Sequence, residues 1–297
     1  MNQKPAYGMA KFNGIWLRDT LEGMEISVRF YDDAASVMAS AGEFLRSRPV
    51  AHNLILTLLD ARLIHSEAAR YWVASRAGEV AGVVFQSPLT RPALLVPMQP
   101  DVIEALVEAI ASEGIVLPGV NGDAATAASF AGRWTERCKM PALPVMGLRL
   151  YELQDLQPIR PVDGFLRQVL ASDRDLAIKW VREFNIEIHE PDGDFEKMAD
   201  AWIALGQIWL WENDGPVSMA VCRKPVEGVV RVSGVYTPPE CRRHGYAEAC
   251  VYEVSRRILE SGHRPILYTD LGNPTSNSIY RRIGYKAVAE GLFYRFA

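Results

Sequence analysis

The chain repeats one local pattern at a fixed distance, and this repeat constrains its fold more than any other feature. An apolar run, a polar turn with Gly78, a second apolar run and a closing proline extend over residues 72–88. The same succession returns 137 residues later, over residues 209–225 with Gly215 in the turn. Apolar runs on both sides of a glycine turn predict a β-hairpin. Two hairpins spaced in this way indicate that one motif is used twice.

A second correspondence follows each hairpin, at an offset of 150 residues. The matching positions are Leu117 and Leu267, Gly122 and Gly272, and Phe130 and Tyr280. The alternative is that two unrelated α/β segments share a hairpin pattern by chance. At 297 residues the chain is about twice the size of a usual ~150-residue domain. We therefore predict an N-terminal extension over 1–27 and two α/β domains, over 28–157 and 158–297.

Apolar residues at helical spacing surround both hairpins. In the second half, Ser172-Asp173-Arg174-Asp175 resembles a capping box, and Leu176, Trp180 and Phe184 follow at intervals of four. In the first half, apolar positions over 37–45 and 54–59 predict two helices before the hairpin. With apolar strands between these helices, the pattern predicts mixed sheets flanked by helices.

Composition excludes several classes of function. The 32 Lys and Arg against 36 Asp and Glu give a net charge of −4 without any basic tract, so we predict no nucleic-acid partner. Four cysteines without a C-x-x-C pair or a histidine cluster predict neither disulfide nor metal site. No apolar stretch approaches 18 residues, and the N-terminus has no signal-peptide core. We expect a cytoplasmic protein without a membrane partner; the oligomeric state stays open.

The stretch that carries chemistry runs from Val229 to Ala247. A β-branched strand ends at two prolines, and a turn with Gly245 then opens an amphipathic helix. A strand, a glycine turn and a helix N-terminus present free backbone N–H groups and the positive end of a helix dipole, which bind phosphate. Arg242 and Arg243 add cationic donors. The alternative is an ordinary turn with a solvated basic tip.

Together with a second motif, this turn resembles the GNAT superfamily of acetyl-CoA-dependent N-acetyltransferases. The family's pyrophosphate loop, Arg or Gln-x-x-Gly-x-Gly or Ala, matches residues 242–247 at each fixed position. The family's later signature is matched by Asn273, Ser276, Tyr280 and the Gly284-Tyr285 pair. The resemblance covers about residues 165–297 and, more faintly, 28–157. It implies two GNAT-like domains in tandem, of which the first is degenerate.

The resemblance also implies roles for individual residues. Tyr280 would protonate the departing thiolate, although a tyrosine that packs on the sheet is the alternative. Asn273 would contact the pantetheine arm of acetyl-CoA or order its loop, and Ser276 belongs to the same site. Backbone groups on the strand would pair with the pantetheine, and main-chain N–H groups of the loop would hold the pyrophosphate. The strand residues are Val235, Tyr236 and Thr237; the loop residues are Arg242, Arg243, His244, Gly245, Tyr246 and Ala247.

The general base is open between two glutamates. Glu187, after the first helix of the second half, is preferred because substrate in this family usually lies between the first helices and the central strands. Glu212, in the hairpin turn, is the alternative, and we expect it to be a solvated turn residue. Four aromatic residues either line a pocket there or form plain core. They are Trp180, Phe184, Trp209 and Trp211.

The first half lacks the features that the second half has. After the strand at 93–97 there is no glycine loop, and Asp101 and Glu104 would put negative charge where a pyrophosphate should lie. Phe130, opposite Tyr280, has no hydroxyl group. The second half alone is therefore predicted to transfer acetyl from acetyl-CoA, without a metal, to a primary amine of a small-molecule or protein acceptor. The alternative is a non-catalytic acyl-CoA-binding or interaction protein.

Overall fold

A computed structural model describes residues 10–12, 15–18, 26–190 and 192–297. The chain forms two compact units: unit 1 comprises Met1–Arg149 and Ala289–Ala297, and unit 2 comprises Leu150–Val288. The predicted domains, 28–157 and 158–297, rest on a repeat in the sequence rather than on contacts, and they stay predictions.

Unit 1 is built on a sheet whose neighbouring strands are mostly antiparallel. Its strands are β1 (Ala10–Phe12), β2 (Ile15–Arg18), β3 (Ile26–Tyr31), β4 (Arg70–Arg76), β5 (Glu79–Gln86), β6 (Ala93–Leu95), β7 (Gly119–Asp123) and most of β8 (Ala142–Glu152). Pairing is antiparallel from β1 through β6, and β6 runs parallel to β7. β1 and β2 lie in the predicted extension 1–27, whose residues 1–9, 13–14 and 19–25 fall outside the described residues.

The end of the chain completes unit 1. The last strand, β14 (Lys286–Phe296), pairs antiparallel with β7 through Gly291–Arg295. Phe296 lies in the core of unit 1, where its ring stacks on Trp134 at a centroid distance of 5.6 Å. The last nine residues of the chain therefore belong to the first unit, although they follow the second in sequence.

Four helices pack around the sheet of unit 1. They are α1 (Ala34–Arg46), α2 (Asn53–Ile64), α3 (Pro100–Ser112) and α4 (Ala124–Cys138). α1 and α2 confirm the two helices predicted from the apolar positions over 37–45 and 54–59. α1 begins where the Asp33 carboxylate accepts the Ser36 N–H at 2.7 Å, and it buries Val37 and Leu45.

Unit 2 has a five-stranded arrangement with helices on both faces. Its strands are β9 (Phe165–Gln168), β10 (Ile208–Glu212), β11 (Pro216–Cys222), β12 (Val229–Tyr236) and β13 (Arg264–Asp270). Its helices are α5 (Arg174–Glu187), α6 (Phe195–Ala204), α7 (Tyr246–Glu260) and α8 (Pro274–Ile283). Pairing is antiparallel from β9 through β12, and β12 runs parallel to β13.

The two faces of this sheet have separate cores. One face packs against α5 and α6 through Trp180 and Trp202, which contact the apolar residues of β10 and β11. The other face packs against α7, whose Val251 and Val254 contact Val232 of β12. Because α7 starts just after the end of β12, its N-terminus lies beside the carboxyl end of the central strands.

The predicted capping box at the start of α5 is wrong. A short 3-10 turn, Ala171–Asp173, precedes the helix, and no side chain caps the helix N-terminus. The Asp173 carboxylate instead accepts the Leu170 N–H at 2.7 Å and bonds the Arg167 guanidinium at 2.6 Å. The Asp173 carboxylate therefore pairs with Arg167 of β9 instead of capping the helix as the local pattern predicted.

Candidate active site

The two parallel strands of unit 2 part before they end. Within the described residues, β12 pairs with β13 only over Val229–Val232, opposite Arg264–Leu267. The carboxyl halves of both strands continue without pairing to each other, which opens a gap in the sheet.

A bulge in β12 contributes to this separation. The register between β11 and β12 shifts between Met219 and Val221, so β12 carries one extra residue. Gly234 lies in the bulge with φ +56°, and a Cβ there would come within 2.8 Å of the Val221 side chain. Glycine is therefore required by both conformation and space. A bulge bends its strand and increases the local twist, which turns the end of β12 away from β13.

The helix that follows the gap has an open N-terminus. Gly245 precedes α7 with φ +86°, in the left-handed region that favours glycine, and no side chain caps the helix. The N–H groups of the first turn, at Tyr246, Ala247 and Glu248, have no partner within the helix ladder. By contrast, α8 is capped by Asn273, whose side-chain oxygen accepts the Ser276 N–H at 3.0 Å.

One cavity of about 950 Å³ joins the gap to this helix N-terminus. Twelve of the thirteen residues predicted for the site line it: Glu187, Val235, Tyr236, Thr237, Arg242, Arg243, Gly245, Tyr246, Ala247, Asn273, Ser276 and Tyr280. His244 is the exception. Its ring stacks on Tyr246 at 5.4 Å, and its Nδ1 lies 3.3 Å from the Cys241 carbonyl oxygen. The structure thus brings the predicted strand, loop and helix residues together around one space.

Positive charge surrounds the loop. The Arg242 guanidinium bonds the Glu187 carboxylate and also donates from Nε to the Thr237 carbonyl at 2.9 Å. Arg243 lines the cavity in a left-handed conformation, with φ +68°. The predicted base and the first residue of the predicted pyrophosphate loop are thus ion-paired with each other.

Tyr280 lies on α8 at the inner wall of the cavity, with 8% of its surface exposed. Its ring packs edge-on against Tyr151 and Tyr285 at centroid distances of 6.4 and 6.1 Å. Burial raises the pKa of Tyr280 to about 12, a rise that the Ser276 side chain partly offsets. The phenol is therefore held protonated across the physiological pH range, and it both packs on the sheet and borders the cavity.

Asn273 holds the loop between β13 and α8. Its side chain caps α8, and its carbonyl accepts from the amide of Asn277 at 2.7 Å. The same amide donates to the Asp270 carbonyl, and its oxygen accepts from the Tyr151 hydroxyl. This network ties the end of β13 to the first turn of α8.

Sequence reasoning missed a second glutamate beside the site. The Tyr236 hydroxyl donates to the Glu183 carboxylate at 2.9 Å, and burial followed by this bond raises the pKa of Tyr236. Glu183 lies one helical turn before Glu187 on α5, so both project from the same side of the helix. Spacing of i and i+4 on a helix next to the strand was the signal that could have found it.

The other predictions for the pocket have different outcomes. Glu212 is not a solvated turn residue: Arg167 bonds its carboxylate at 2.7 Å, and only 20% of its side chain is exposed. The predicted pocket aromatics Trp180, Phe184, Trp209 and Trp211 contribute to the cores of unit 2, and none lines the cavity. In the part of the chain that the structure describes, no group of three His, Cys, Asp or Glu could hold a metal ion. No described helix has the length and apolar character needed to span a membrane.

Comparison with known proteins gives the fold a name. The FR47-like protein family model matches residues 219–294, which include β12, the loop, α7 and α8. The whole chain is similar to an acetyltransferase of the GNAT family from Colwellia psychrerythraea, with a TM-score of 0.61 and 10% identity. That match covers 91% of this chain and 99% of the other. The chain has a GNAT fold.

Two further solved structures are similar over nearly their full length. A GCN5-related N-acetyltransferase from Sphaerobacter thermophilus has a TM-score of 0.59 and 17% identity, with 90% of this chain and 95% of the other covered. A tandem GNAT protein from the clavulanic acid biosynthesis pathway has a TM-score of 0.54 and 12% identity, covering 90% and 97%. No functionally curated protein matches by sequence. The predicted fold class, mixed α/β with two GNAT-like domains in tandem, is confirmed.

Proposed function

We propose that this GNAT protein transfers the acetyl group of acetyl-CoA to a primary amine. One observation carries the proposal: a single cavity unites the gap between β12 and β13, the uncapped N-terminus of α7 and the phenol of Tyr280. A protein that only binds acyl-CoA would need the gap between the strands and the open helix N-terminus. The phenol of Tyr280 is needed only if the acetyl group is transferred.

The residues around the cavity suit acetyl-CoA. Its pyrophosphate would lie at the first turn of α7, where free N–H groups and the helix dipole favour an anion. Arg242 and Arg243 would add cationic donors. The unpaired edge of β12 at Val235 would offer backbone groups to the pantetheine amides. The bound molecule supplies an activated acetyl thioester, and the remaining chemistry belongs to the chain.

Tyr280 would act on the leaving sulfur as a hydrogen-bond donor. A phenol with a pKa of about 12 is protonated at every working pH. A thiol titrates at about 8.5 in water, so the departing thiolate is a weaker base than the phenolate and need not take the proton of the phenol. Tyr280 therefore stabilises the thiolate as the carbon–sulfur bond breaks, and solvent supplies the proton that the product thiol carries.

Glu187 would remove the proton that the amine nitrogen loses as it bonds to the acetyl carbon. In the structure its carboxylate forms an ion pair with Arg242. A pyrophosphate on Arg242 competes for the same guanidinium, so cofactor binding would release Glu187 to accept a proton. Glu183 is the competing candidate, because it lies beside β12, where it accepts from the Tyr236 hydroxyl, and its ion pair with Lys179 is long, at 3.9 Å.

Two glutamine variants separate these candidates. Loss of the base should lower kcat at neutral pH and remove the acidic limb of the pH–rate profile, since a general base must be deprotonated to act. We expect this for Glu187→Gln, with CoA affinity retained or raised because Arg242 is freed. If Glu183→Gln removes that limb instead, the base is Glu183.

The proposed function itself is tested with the purified full chain. Calorimetric titration should show CoA binding, and a thiol assay should show CoA release from acetyl-CoA when a panel of primary amines is added. Mass spectrometry should show a gain of one acetyl group on the amine. CoA binding without amine-dependent thiol release would make the protein an acyl-CoA-binding protein and overturn the proposal.

A further inference from the structure

Two arginines lie side by side on the inner part of the unit 2 sheet. Arg223, just after β11, donates its N–H to the carbonyl of Arg231 on β12 at 3.0 Å, so the two are opposite neighbours across antiparallel strands. Opposite residues point to the same face. The Arg223 guanidinium lies 4.4 Å from the ring centre of Trp202, which places both arginines on the face that carries α6.

Ser233 and Tyr268 extend this group, which we call the arginine cluster. Ser233 follows Arg231 by two residues and therefore faces the same side of β12. Tyr268 follows Ile266, the partner of Arg231 on β13, by two residues, and its hydroxyl interacts electrostatically with Arg231. The arginine cluster consists of Arg223, Arg231, Ser233 and Tyr268.

The cluster has donors without acceptors. Among the residues that the structure describes, no carboxylate pairs with the guanidinium of Arg223 or Arg231. The Nε of Arg223 and the Oγ of Ser233 are buried and have no hydrogen-bond partner. Burial and the neighbouring Arg231 lower the pKa of Arg223 to about 10. Buried cations and unpaired buried donors destabilise the folded chain, and a ligand that accepts hydrogen bonds from them would offset this cost.

Other arginines of unit 2 show that this is a local arrangement. Arg167 bonds Asp173 and Glu212, and Arg256 bonds Glu253 and Glu260. These arginines have acidic partners although they are no more buried than the cluster. Within the described residues, acidic side chains therefore pair with Arg167 and Arg256 and not with Arg223 or Arg231.

The cluster also lies next to the gap that forms the active site. Pairing between β12 and β13 ends at Val232, so Ser233 is the first residue past the point where the strands part. Val235 packs on the α7 side and Tyr236 on the α5 and α6 side, and both line the cavity. The gap thus connects the two faces of the sheet. The distance along β12 from Arg231 to Tyr236 is about 16 Å, part of which the long arginine side chain can span.

We propose that the arginine cluster binds an anionic group, a carboxylate or a phosphate, of the amine acceptor. This inference rests on the proposed acetyl transfer and specifies its acceptor class. Two guanidinium groups and two hydroxyls match the several oxygens of such an anion, and arginine donates to them in pairs. The distance along β12 from Arg231 to Tyr236 fits an extended acceptor whose amine and anion are separated by several carbon atoms.

Matched pairs of amines test the acceptor class. Thiol release is measured for 6-aminohexanoate against 6-aminohexanamide and for 6-aminohexyl phosphate against 6-aminohexanol, at equal concentrations of free amine. At least one anionic member should have a kcat/KM about tenfold or more above its neutral partner, and the preferred pair tells whether the anion is a carboxylate or a phosphate. Equal values in both pairs, or preference for the neutral amines, would overturn the proposal.

Variants then assign the preference to the cluster. Arg231→Gln, and separately Arg223→Gln, should reduce the anionic preference to less than about twofold. Arg256→Gln is the matched control, since it removes one positive charge from an ion pair on α7 and should leave the preference unchanged. A preference that survives in both cluster variants refutes the assignment.

Thermal unfolding gives a readout that does not depend on acetyl transfer. With CoA saturating, phosphate and acetate are titrated separately; at least one should raise the unfolding temperature of the wild type but not of Arg231→Gln. Without anions Arg231→Gln should unfold at an equal or higher temperature, because an unpaired buried charge is removed. If Arg231 had a purely structural role, Arg231→Gln would unfold at a lower temperature.

The two proposals can fail separately. If no amine reacts but an anion still raises the unfolding temperature of the wild type alone, acetyl transfer is refuted and the anion site stands. Equal shifts in the wild type and Arg231→Gln would refute the anion site.

Discussion

Each unit has a parallel strand pair before a helix, closed along its length in unit 1 and open at its end in unit 2. In unit 1, β6 is paired with β7 along its whole length, over Ala93–Leu95, and the Met98 N–H then donates to Thr126 Oγ1 of α4 at 3.1 Å. In unit 2, β12 runs on for four residues past its last pair with β13. A closed strand pair leaves no room for a ligand between the strands. The open pair forms a cavity.

The first turns of the helices after these strands, α3 and α7, also differ. In unit 1 the Asp101 carboxylate sits in the first turn of α3, accepts the Val102 N–H at 3.0 Å and bonds Arg76. In unit 2 the first turn of α7 follows Gly245 and carries no cap. α7 also has an acidic residue in its first turn, Glu248, but Arg282 bonds that carboxylate at 2.8 Å. The first-turn carboxylate of α3 therefore bonds its own helix, whereas the first-turn N–H groups of α7 stay open to a ligand.

Three matched positions on α4 and α8 complete the comparison. Asp123 and Asn273 both cap their helices. Thr126 accepts a hydrogen bond from the Met98 N–H, whereas Ser276 at the matching position interacts with Tyr280. Phe130 is fully buried, whereas Tyr280 borders the cavity. The caps are shared because both helices must start there. The two units therefore differ at a few positions around a similar arrangement, and we propose that these differences leave a site in unit 2 alone.

The largest effect should come from Gly245→Val. A side chain there adopts φ +86° with strain and would contact Val162 at 3.1 Å, which displaces the loop N–H groups. Loss of two charge-assisted hydrogen bonds would raise the Kd for CoA by about 100-fold or more. Calorimetry measures this.

Gly78→Val is the matched control for Gly245→Val. Gly78 has the same φ of +86°, in the hairpin of unit 1, with nothing within 4 Å of an added Cβ. The two variants should lose similar stability, but only Gly245→Val should lose CoA affinity. Equal affinities would show that the loop does not hold the cofactor.

Tyr280→Phe should lower kcat by about 10- to 100-fold with little change in CoA affinity or stability. The low end of the usual range for acid catalysis is expected because a thiolate is already a tolerable leaving group. Since the pKa of Tyr280 is about 12, ionisation of this phenol should not reduce wild-type kcat up to pH 10. Steady-state rates over that range, with chemistry shown to be rate-limiting, provide the measurement; an unchanged kcat would leave Tyr280 as a packing residue.

Phe130→Tyr is the reciprocal change in unit 1. Phe130 is fully buried and stacks near Trp134, so a hydroxyl there would lack a partner and should cost about 1 to 3 kcal/mol of stability. Turnover should not rise. A gain of activity would mean that unit 1 keeps a working site.

The shared caps should give smaller and similar effects. Asp123→Ala and Asn273→Ala should each cost about 1 kcal/mol in urea unfolding, because each removes the acceptor of a first-turn N–H. CoA affinity should stay within about twofold in both. A much larger loss of affinity in Asn273→Ala would mean that its amide contacts the cofactor as well as the helix.

The smallest effect should come from Asp101→Ala. Its ion pair with Arg76 is partly exposed and worth about 1 kcal/mol or less. CoA should bind once per chain in the wild type and in this variant, because removing the carboxylate does not open β6 from β7. A calorimetric stoichiometry of two, in either protein, would contradict the contrast between the units.

Local patterns predicted much of unit 2 correctly. The hairpins and helices follow from the periodicity of apolar residues, and the loop with Gly245 follows from the conformational freedom of glycine. Both signals depend only on residues close together in the sequence. Two predictions failed because a carboxylate bonds Arg167 instead. Asp173 bonds it from six residues away and does not cap α5, and Glu212 bonds it from 45 residues away and is not solvated. Glu183 was missed because its partner, Tyr236, is 53 residues away.

The sequence by itself determined the doubled α/β pattern, the two motifs of the second half and their loss in the first. Each depends on residue types a few positions apart, whose propensities act within a turn or a strand. Only the tertiary structure decided that β12 and β13 part after Val232, that the last nine residues complete unit 1, and that Arg223 and Arg231 lie side by side with no acidic partner among the described residues. Strand pairing and burial arise between distant segments, and the spacing of residues along one segment does not encode them.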